Sequence, residues 1–213
     1  IFDRKQQRLL LEGKEYTFED ISRLIAGGAE AHSPASWDLY LFLNEWFNDS
    51  PVIIVHTSGS TGTPKELIVR KDQMMQSARL TCEFLDLKKG ETALLCMNLR
   101  YIGAMMVVVR SLVAGLNLIV RPASGHPLAD IKEPLRFVGM VPLQVYNTLQ
   151  VPEEKERLKQ TDILIIGGGA IDEALEAEIK HLPTAVYSTY GMTETLSHIA
   201  LRRLNGTLAS EHY

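Results

Sequence analysis

Thr57-Ser58-Gly59-Ser60-Thr61-Gly62-Thr63-Pro64-Lys65 lies between two short apolar runs, Val52-Ile53-Ile54-Val55 and Leu67-Ile68-Val69. Both runs are β-branched and bounded by turn residues, so both read as strands holding a loop between them. The glycines let the loop backbone approach a ligand, and its N–H groups and hydroxyls suit phosphate oxygens. Lys65 adds a mobile positive charge of the kind phosphate attracts. The spacing is not that of a Walker A loop, which needs Gly, four residues and then Gly-Lys-Ser/Thr. The same composition also suits a Ser/Thr/Gly hairpin connection without a ligand, and the residues alone leave both readings open.

Outward from this stretch, strands and helices alternate. Asp72 to Leu85 places Met75, Ala78, Cys82 and Leu85 on one helical face. Ala93 to Met97 reads as a strand, and Ile102 to Ala114 as a buried helix despite its Val107-Val108-Val109 run. Leu116 to Val120, Arg136 to Val141, Ile163 to Ile166 and Thr184 to Ser188 are further strands. Glu153 to Lys159 reads as a solvated charged face. The pattern predicts a layered α/β/α domain with a largely parallel sheet. Residues 1–50 read as an entry segment of helices and a short strand, and 51–213 as the α/β core.

Bulk properties exclude several classes. Net charge is 22 − 26 = −4 with neutral histidines, which gives no support to nucleic-acid or acidic-membrane partners. Cys82 and Cys96 sit in apolar contexts and read as buried free thiols rather than a disulfide or a metal cluster. No apolar run approaches the ~18 residues of a membrane span, and no signal peptide is visible at Ile1, so the expected compartment is the cytoplasm.

Two later segments also follow strands. Gly167-Gly168-Gly169-Ala170 precedes a helix, but Asp172 stands where a dinucleotide fingerprint wants Gly or Ala. The glycines suit either a tight turn or a flat ring lying against the backbone. Tyr190-Gly191-Met192-Thr193-Glu194 offers an aromatic face, a hydroxyl and a carboxylate able to bind Mg²⁺. Ligands of such sheets bind beyond the carboxyl ends of the strands. Segments 57–65, 167–170 and 189–195 are therefore expected to converge on one cleft.

These three motifs, in this order, resemble the adenylate-forming superfamily of acyl-CoA synthetases, luciferases and peptide-synthetase adenylation domains. Phe137-Val138-Gly139-Met140-Val141-Pro142 and Thr193-Glu194-Thr195-Leu196-Ser197 look most like the o-succinylbenzoate–CoA ligases of menaquinone biosynthesis. The resemblance implies ATP, Mg²⁺, a small-molecule carboxylic acid, and CoA as co-substrate. It implies that Thr57, Ser58, Gly59, Ser60, Thr61, Gly62 and Lys65 hold phosphates. Gly168, Gly169 and Ala170 would line the adenine, and Tyr190 would stack on it. Thr193 would contact the α-phosphate, Glu194 would bind Mg²⁺, and Lys65 would act with them in catalysis. Ser197, Arg100 and Tyr101 would face the acyl substrate.

The chain departs from the family pattern at Asn98-Leu99-Arg100-Tyr101, where the family usually shows Pro, an apolar residue, an aromatic and His. Arg100 suits pairing with a second substrate carboxylate, although taken alone it reads first as a solvated arginine. Family members also continue beyond the match to residue 213. The chain is thus expected to be an incomplete N-terminal domain without the C-terminal domain, unable by itself to complete transfer to CoA.

Overall fold

The computed structural model describes residues 3, 6–57 and 65–213. In chain order these form β1 (Leu9–Leu11), β2 (Lys14–Tyr16), α1 (Phe18–Ala26) and α2 (Pro34–Phe47). Next come β3 (Val52–His56), β4 (Glu66–Arg70), α3 (Lys71–Phe84), β5 (Thr92–Leu95), α4 (Ile102–Ala114) and β6 (Asn117–Val120). The chain continues with β7 (Phe137–Met140), α5 (Pro142–Gln150), α6 (Pro152–Lys159), β8 (Ile163–Ile166), α7 (Glu173–Ile179), β9 (Ala185–Gly191) and β10 (His198–Arg203). Single 3-10 turns lie at Ala29–Ala31 and Thr193–Thr195.

The main sheet has eight strands in the order β10-β9-β8-β7-β5-β6-β1-β2. From β9 across to β1 every neighbouring pair is parallel. Only the outer strands β2 and β10 run antiparallel to their neighbours. The expected α/β class with a largely parallel sheet is what the molecule has. The entry segment contributes more than expected, since β1 and β2 form one edge of this sheet. Conversely, β3 and β4 do not join it: they pair only with each other, antiparallel, from Val52↔Arg70 to His56↔Glu66.

Strand alternation explains the layers. On β5, Ala93 and Leu95 enter the core formed with α1–α4, while Leu94 enters the core formed with α5–α7. On β8, Ile163 and Ile165 face the first core and Leu164 and Ile166 the second. Helices therefore cover both faces, which is why these strands are nearly continuous apolar runs. The Val107-Val108-Val109 run is helical because all three side chains are buried within α4, and burial outweighs the modest cost of β-branching. Cys82 and Cys96 are buried free thiols, as expected.

One surface assignment is corrected. The run 153–159 is helical, but Glu154 and Leu158 are buried. They stand one turn apart and share the inward face of α6. Burial of the Glu154 carboxylate is tolerated because Oε1 lies 2.8 Å from His126 Nδ1 in the loop after β6.

A buried lysine locks the hairpin's base. Lys71 opens α3 and is fully buried, and its ammonium donates to Asn48 Oδ1 (2.8 Å) and Asn48 O (3.2 Å). Desolvation holds it down at about 8.

Candidate active site

Four adjacent parallel strands, β5, β7, β8 and β9, deliver their carboxyl ends to one edge of the sheet. The segments leaving them are Cys96–Tyr101, Val141-Pro142, Gly167–Ala170 and the turn after Gly191. Gln144 ties three pieces of this edge together. Its Nε2 donates to Cys96 O and to Ser124 O, both at 2.9 Å, and its Oε1 accepts from Val141 N at 3.2 Å. Sequence reading missed this residue, because a glutamine early in a helix gives no sign of distant partners.

Gly167 and Thr189 lie side by side. A Cβ on Gly167 would come within 2.5 Å of Thr189 Oγ1, so only glycine lets the two strand ends close up. Gly168 has φ +77°, and a Cβ there would meet Val141 at 3.3 Å. Gly168, Gly169 and Ala170 are exposed, and Tyr190, also exposed, follows Thr189 on the neighbouring strand. The Tyr190 ring packs at 5.6 Å between centroids against Tyr213, whose hydroxyl accepts from Ser188 Oγ at 2.8 Å. Asp172 caps α7 by accepting from Leu175 N at 2.8 Å. This bond explains the aspartate as a helix cap and supports rejecting the dinucleotide fingerprint.

The segment 191–198 closes on itself. Gly191 pairs with His198, and a Cβ on Gly191 would stand 2.3 Å from Ser197 O. Thr195 Oγ1 accepts from Met192 N at 3.0 Å and reaches Met192 O and Ser197 O at 2.9 and 2.7 Å. Leu196 has φ +68°, a left-handed conformation that costs a leucine roughly 1 kcal/mol. The turn leaves the Glu194 carboxylate exposed, with no ion pair or hydrogen bond among the described residues. Such a carboxylate fits a hard cation that keeps part of its water shell. Among the described residues there is no cluster of three or more His, Cys, Asp or Glu side chains able to hold a metal ion.

Beneath this turn lies a group that sequence reading also missed. Arg110, on α4, is 1% exposed. Its Nη2 donates to Ser197 Oγ at 2.8 Å, while Nε has no hydrogen-bond partner among the described residues. Burial lowers its proton affinity to about 10. The available signal was a lone charge inside the apolar run Met105–Leu112. Ser197 Oγ lies 3.5 Å from His198 Nδ1, and His198 Nε2 lies 3.1 Å from Thr81 Oγ1 on α3. Arg100 and Tyr101, by contrast, are exposed at the start of α4.

The hairpin loop begins and ends in paired residues. Thr57 N donates to Lys65 O, and Lys65 N donates to Thr57 Oγ1, both at 3.0 Å. Lys65 is exposed. Ser58, Gly59, Ser60, Thr61, Gly62 and Thr63 lie outside the described residues. Of the three segments expected to converge, the strand ends place 167–170 and 189–195 together.

The family model described as AMP-binding enzyme matches residues 16–211, and the chain belongs to that family. A curated relative from Bacillus mycoides (strain KBAB4), named 2-succinylbenzoate–CoA ligase, is 27% identical over 165 residues, 74% of this chain and 34% of its own length. The chain thus spans about a third of the length of the curated relatives it matches. Among solved structures, an acyl-CoA synthetase (AMP-forming)/AMP-acid ligase II-like protein from Dyadobacter fermentans DSM 18053 superimposes with a TM-score of 0.80. It is 35% identical, and the match covers 89% of this chain and 54% of that one. The o-succinylbenzoate coenzyme A synthetase of Bacillus subtilis, solved with ATP and magnesium, shares the fold at a TM-score of 0.60 and 22% identity, over 71% of this chain and 32% of that one. No helix among the described residues is long and apolar enough to cross a membrane.

Proposed function

We propose that this chain is the adenylate-binding part of an ATP-dependent acid–CoA ligase whose acid is o-succinylbenzoate. The observation that carries the ligase reading is the adjacency of Gly167–Ala170 and Tyr190–Glu194 at the carboxyl ends of β8 and β9. A flat exposed backbone beside an aromatic ring suits adenine, and the Thr193 hydroxyl and Glu194 carboxylate suit the phosphate and its cation.

In the first half-reaction the acid's carboxylate oxygen attacks the α-phosphorus of ATP, giving acyl-AMP and pyrophosphate. In the second, the CoA thiol gives up its proton to solvent, its sulfur attacks the acyl carbonyl, and AMP leaves with the electrons of the broken acyl–oxygen bond. Glu194 would hold Mg²⁺, which when bound would neutralise charge on the phosphates. Thr193 holds the α-phosphate, and Thr57 and Lys65, with the loop between them, hold the β- and γ-phosphates. The Thr57 hydroxyl oxygen accepts from Lys65 N, which leaves its role as a donor unopposed by that bond. The residues act chiefly by positioning and by charge stabilisation.

The choice of acid rests on charge. Arg110 is a buried guanidinium without a carboxylate partner among the described residues, and it is bonded to Ser197. A buried charge of this kind favours a ligand that brings the opposite charge. A succinylbenzoate retains a second carboxylate after its first is activated. Arg110 meets this requirement better than the exposed Arg100, which with Tyr101 would border the acyl site.

Calorimetric titration tests the proposal. A non-hydrolysable o-succinylbenzoyl-adenylate analogue should bind more tightly than ATP·Mg²⁺. Binding of ATP·Mg²⁺ with no gain from the acyl group would overturn the choice of acid. Binding of neither would overturn the ligase reading.

A further inference from the structure

We infer that His198 is a positioning residue for acid selection, aligning Ser197 and through it Arg110 by a hydrogen-bond relay anchored on Thr81. The inference rests on the ligase reading only for the nature of its ligand; the relay itself follows from donor and acceptor accounting.

The relay has one direction in which the Thr81 hydroxyl keeps its bond to Ser77 O. Thr81 has one hydroxyl hydrogen, and it goes to Ser77 O at 3.1 Å, one helical turn back. Toward His198 Nε2, at 3.1 Å, Thr81 Oγ1 is therefore the acceptor, and Nε2 carries the proton. A neutral ring then leaves Nδ1 bare, facing Ser197 Oγ at 3.5 Å. Arg110 can only donate, so Ser197 Oγ accepts from Nη2 and turns its own hydrogen to Nδ1. The order is Arg110 to Ser197 to His198 to Thr81 to Ser77.

Burial and the charge on Arg110 hold His198 neutral, with its proton affinity lowered to about 4. The backbone supports the arrangement. Gly191 has no Cβ to push His198 away, and a Cβ there would stand 2.5 Å from His198 Cα. With Nη2 bonded to Ser197, the guanidinium's orientation is restrained, and its Nε has no hydrogen-bond partner among the described residues. The relay thus joins α3, α4 and β10, its longest step in sequence being the 117 residues between Thr81 and His198.

Nitrogen-15 NMR of the chain with labelled histidine reads the relay directly. At neutral pH, His198 should show Nε2 protonated and Nδ1 bare, and Ser197→Ala should shift the Nδ1 resonance. The opposite tautomer would overturn the inference. Binding reads its consequence. The probes are o-succinylbenzoyl sulfamoyl-adenosine and benzoyl sulfamoyl-adenosine, which lacks the second carboxylate.

Wild type should prefer the charged probe by ~100-fold, the scale of a buried charge-assisted hydrogen bond. His198→Asn, whose oxygen replaces Nδ1 as acceptor, should keep most of that preference. His198→Gln, which reaches Thr81 but offers Ser197 nothing, should lose ~10-fold of it. Unchanged preference in both variants, or equal loss in both, would overturn the relay. If wild type binds neither probe, the ligase reading fails, and the tautomer alone decides the relay.

Discussion

Arg110 and Ser197 are 87 residues apart in the chain, yet the buried Arg110 Nη2 donates to the half-buried Ser197 Oγ across 2.8 Å. The bond joins α4 to Ser197, the residue before β10, in the segment that follows the Thr193–Thr195 turn. It also exposes a conflict between folding and binding. A buried guanidinium without a counter-ion among the described residues destabilises the fold, whereas an acid with a spare carboxylate gains from it.

Arg110→Met should therefore stabilise the unliganded chain, by about 1–2 kcal/mol, because a residue of similar length replaces a desolvated charge. The same variant should lose preference for a dicarboxylic acyl-adenylate. Urea denaturation and calorimetry on one preparation check both. Lower stability together with intact preference would show that Arg110 serves the fold rather than the ligand.

His198 gives the acid side of the stability profile. Its folded value is about 4 and its unfolded value about 6.5. Between those values the unfolded chain binds more protons, so stability rises with pH across pH 4 to 6.5 and its full contribution is present above that window. The contribution lost on acidification is at most about 3 kcal/mol. His198→Asn should flatten this part of the profile, measured as the difference in denaturation free energy between pH 7 and pH 4.5.

Gly191→Ala should destabilise the chain by about 3 kcal/mol, since the new methyl meets backbone at Ser197 O and His198 Cα rather than a movable side chain. Thermal denaturation checks the size. A loss under ~0.5 kcal/mol, the range of ordinary surface changes, would show that the turn is not closed as described.

Gln144→Leu should cost about 2 kcal/mol, because Val141 N and the carbonyls of Cys96 and Ser124 lose their shared partner in a largely buried setting. Hydrogen exchange should quicken at Val141 N, and a rate equal to wild type would contradict the assigned role.

Much of the fold was legible because its strands are buried on both faces. Ile163–Ile166, followed by glycines and then Asp172, announces strand, turn and capped helix without help from tertiary contacts. The β3–β4 hairpin was legible from its turn residues, but not its separation from the main sheet, which depends on strand partners remote in sequence. Nor could the sequence show that Leu9–Leu11 pairs beside β6. In the site, Tyr190 and Glu194 were readable as motif residues. Arg110, Gln144 and His198 were not, because each takes its meaning from partners 20 to 117 residues away. Glu154 was misread because charge alone suggested solvent, while helical period and His126 place it inside.

The most direct test of the account is a titration of the ¹⁵N-labelled chain with o-succinylbenzoyl sulfamoyl-adenosine, followed by backbone amide NMR. The largest shifts should fall at Gly167–Ile171 and Tyr190–His198, the paired carboxyl ends of β8 and β9 and the turn they support. Saturable binding with shifts confined elsewhere, such as α1 or α6, would contradict the site proposed here.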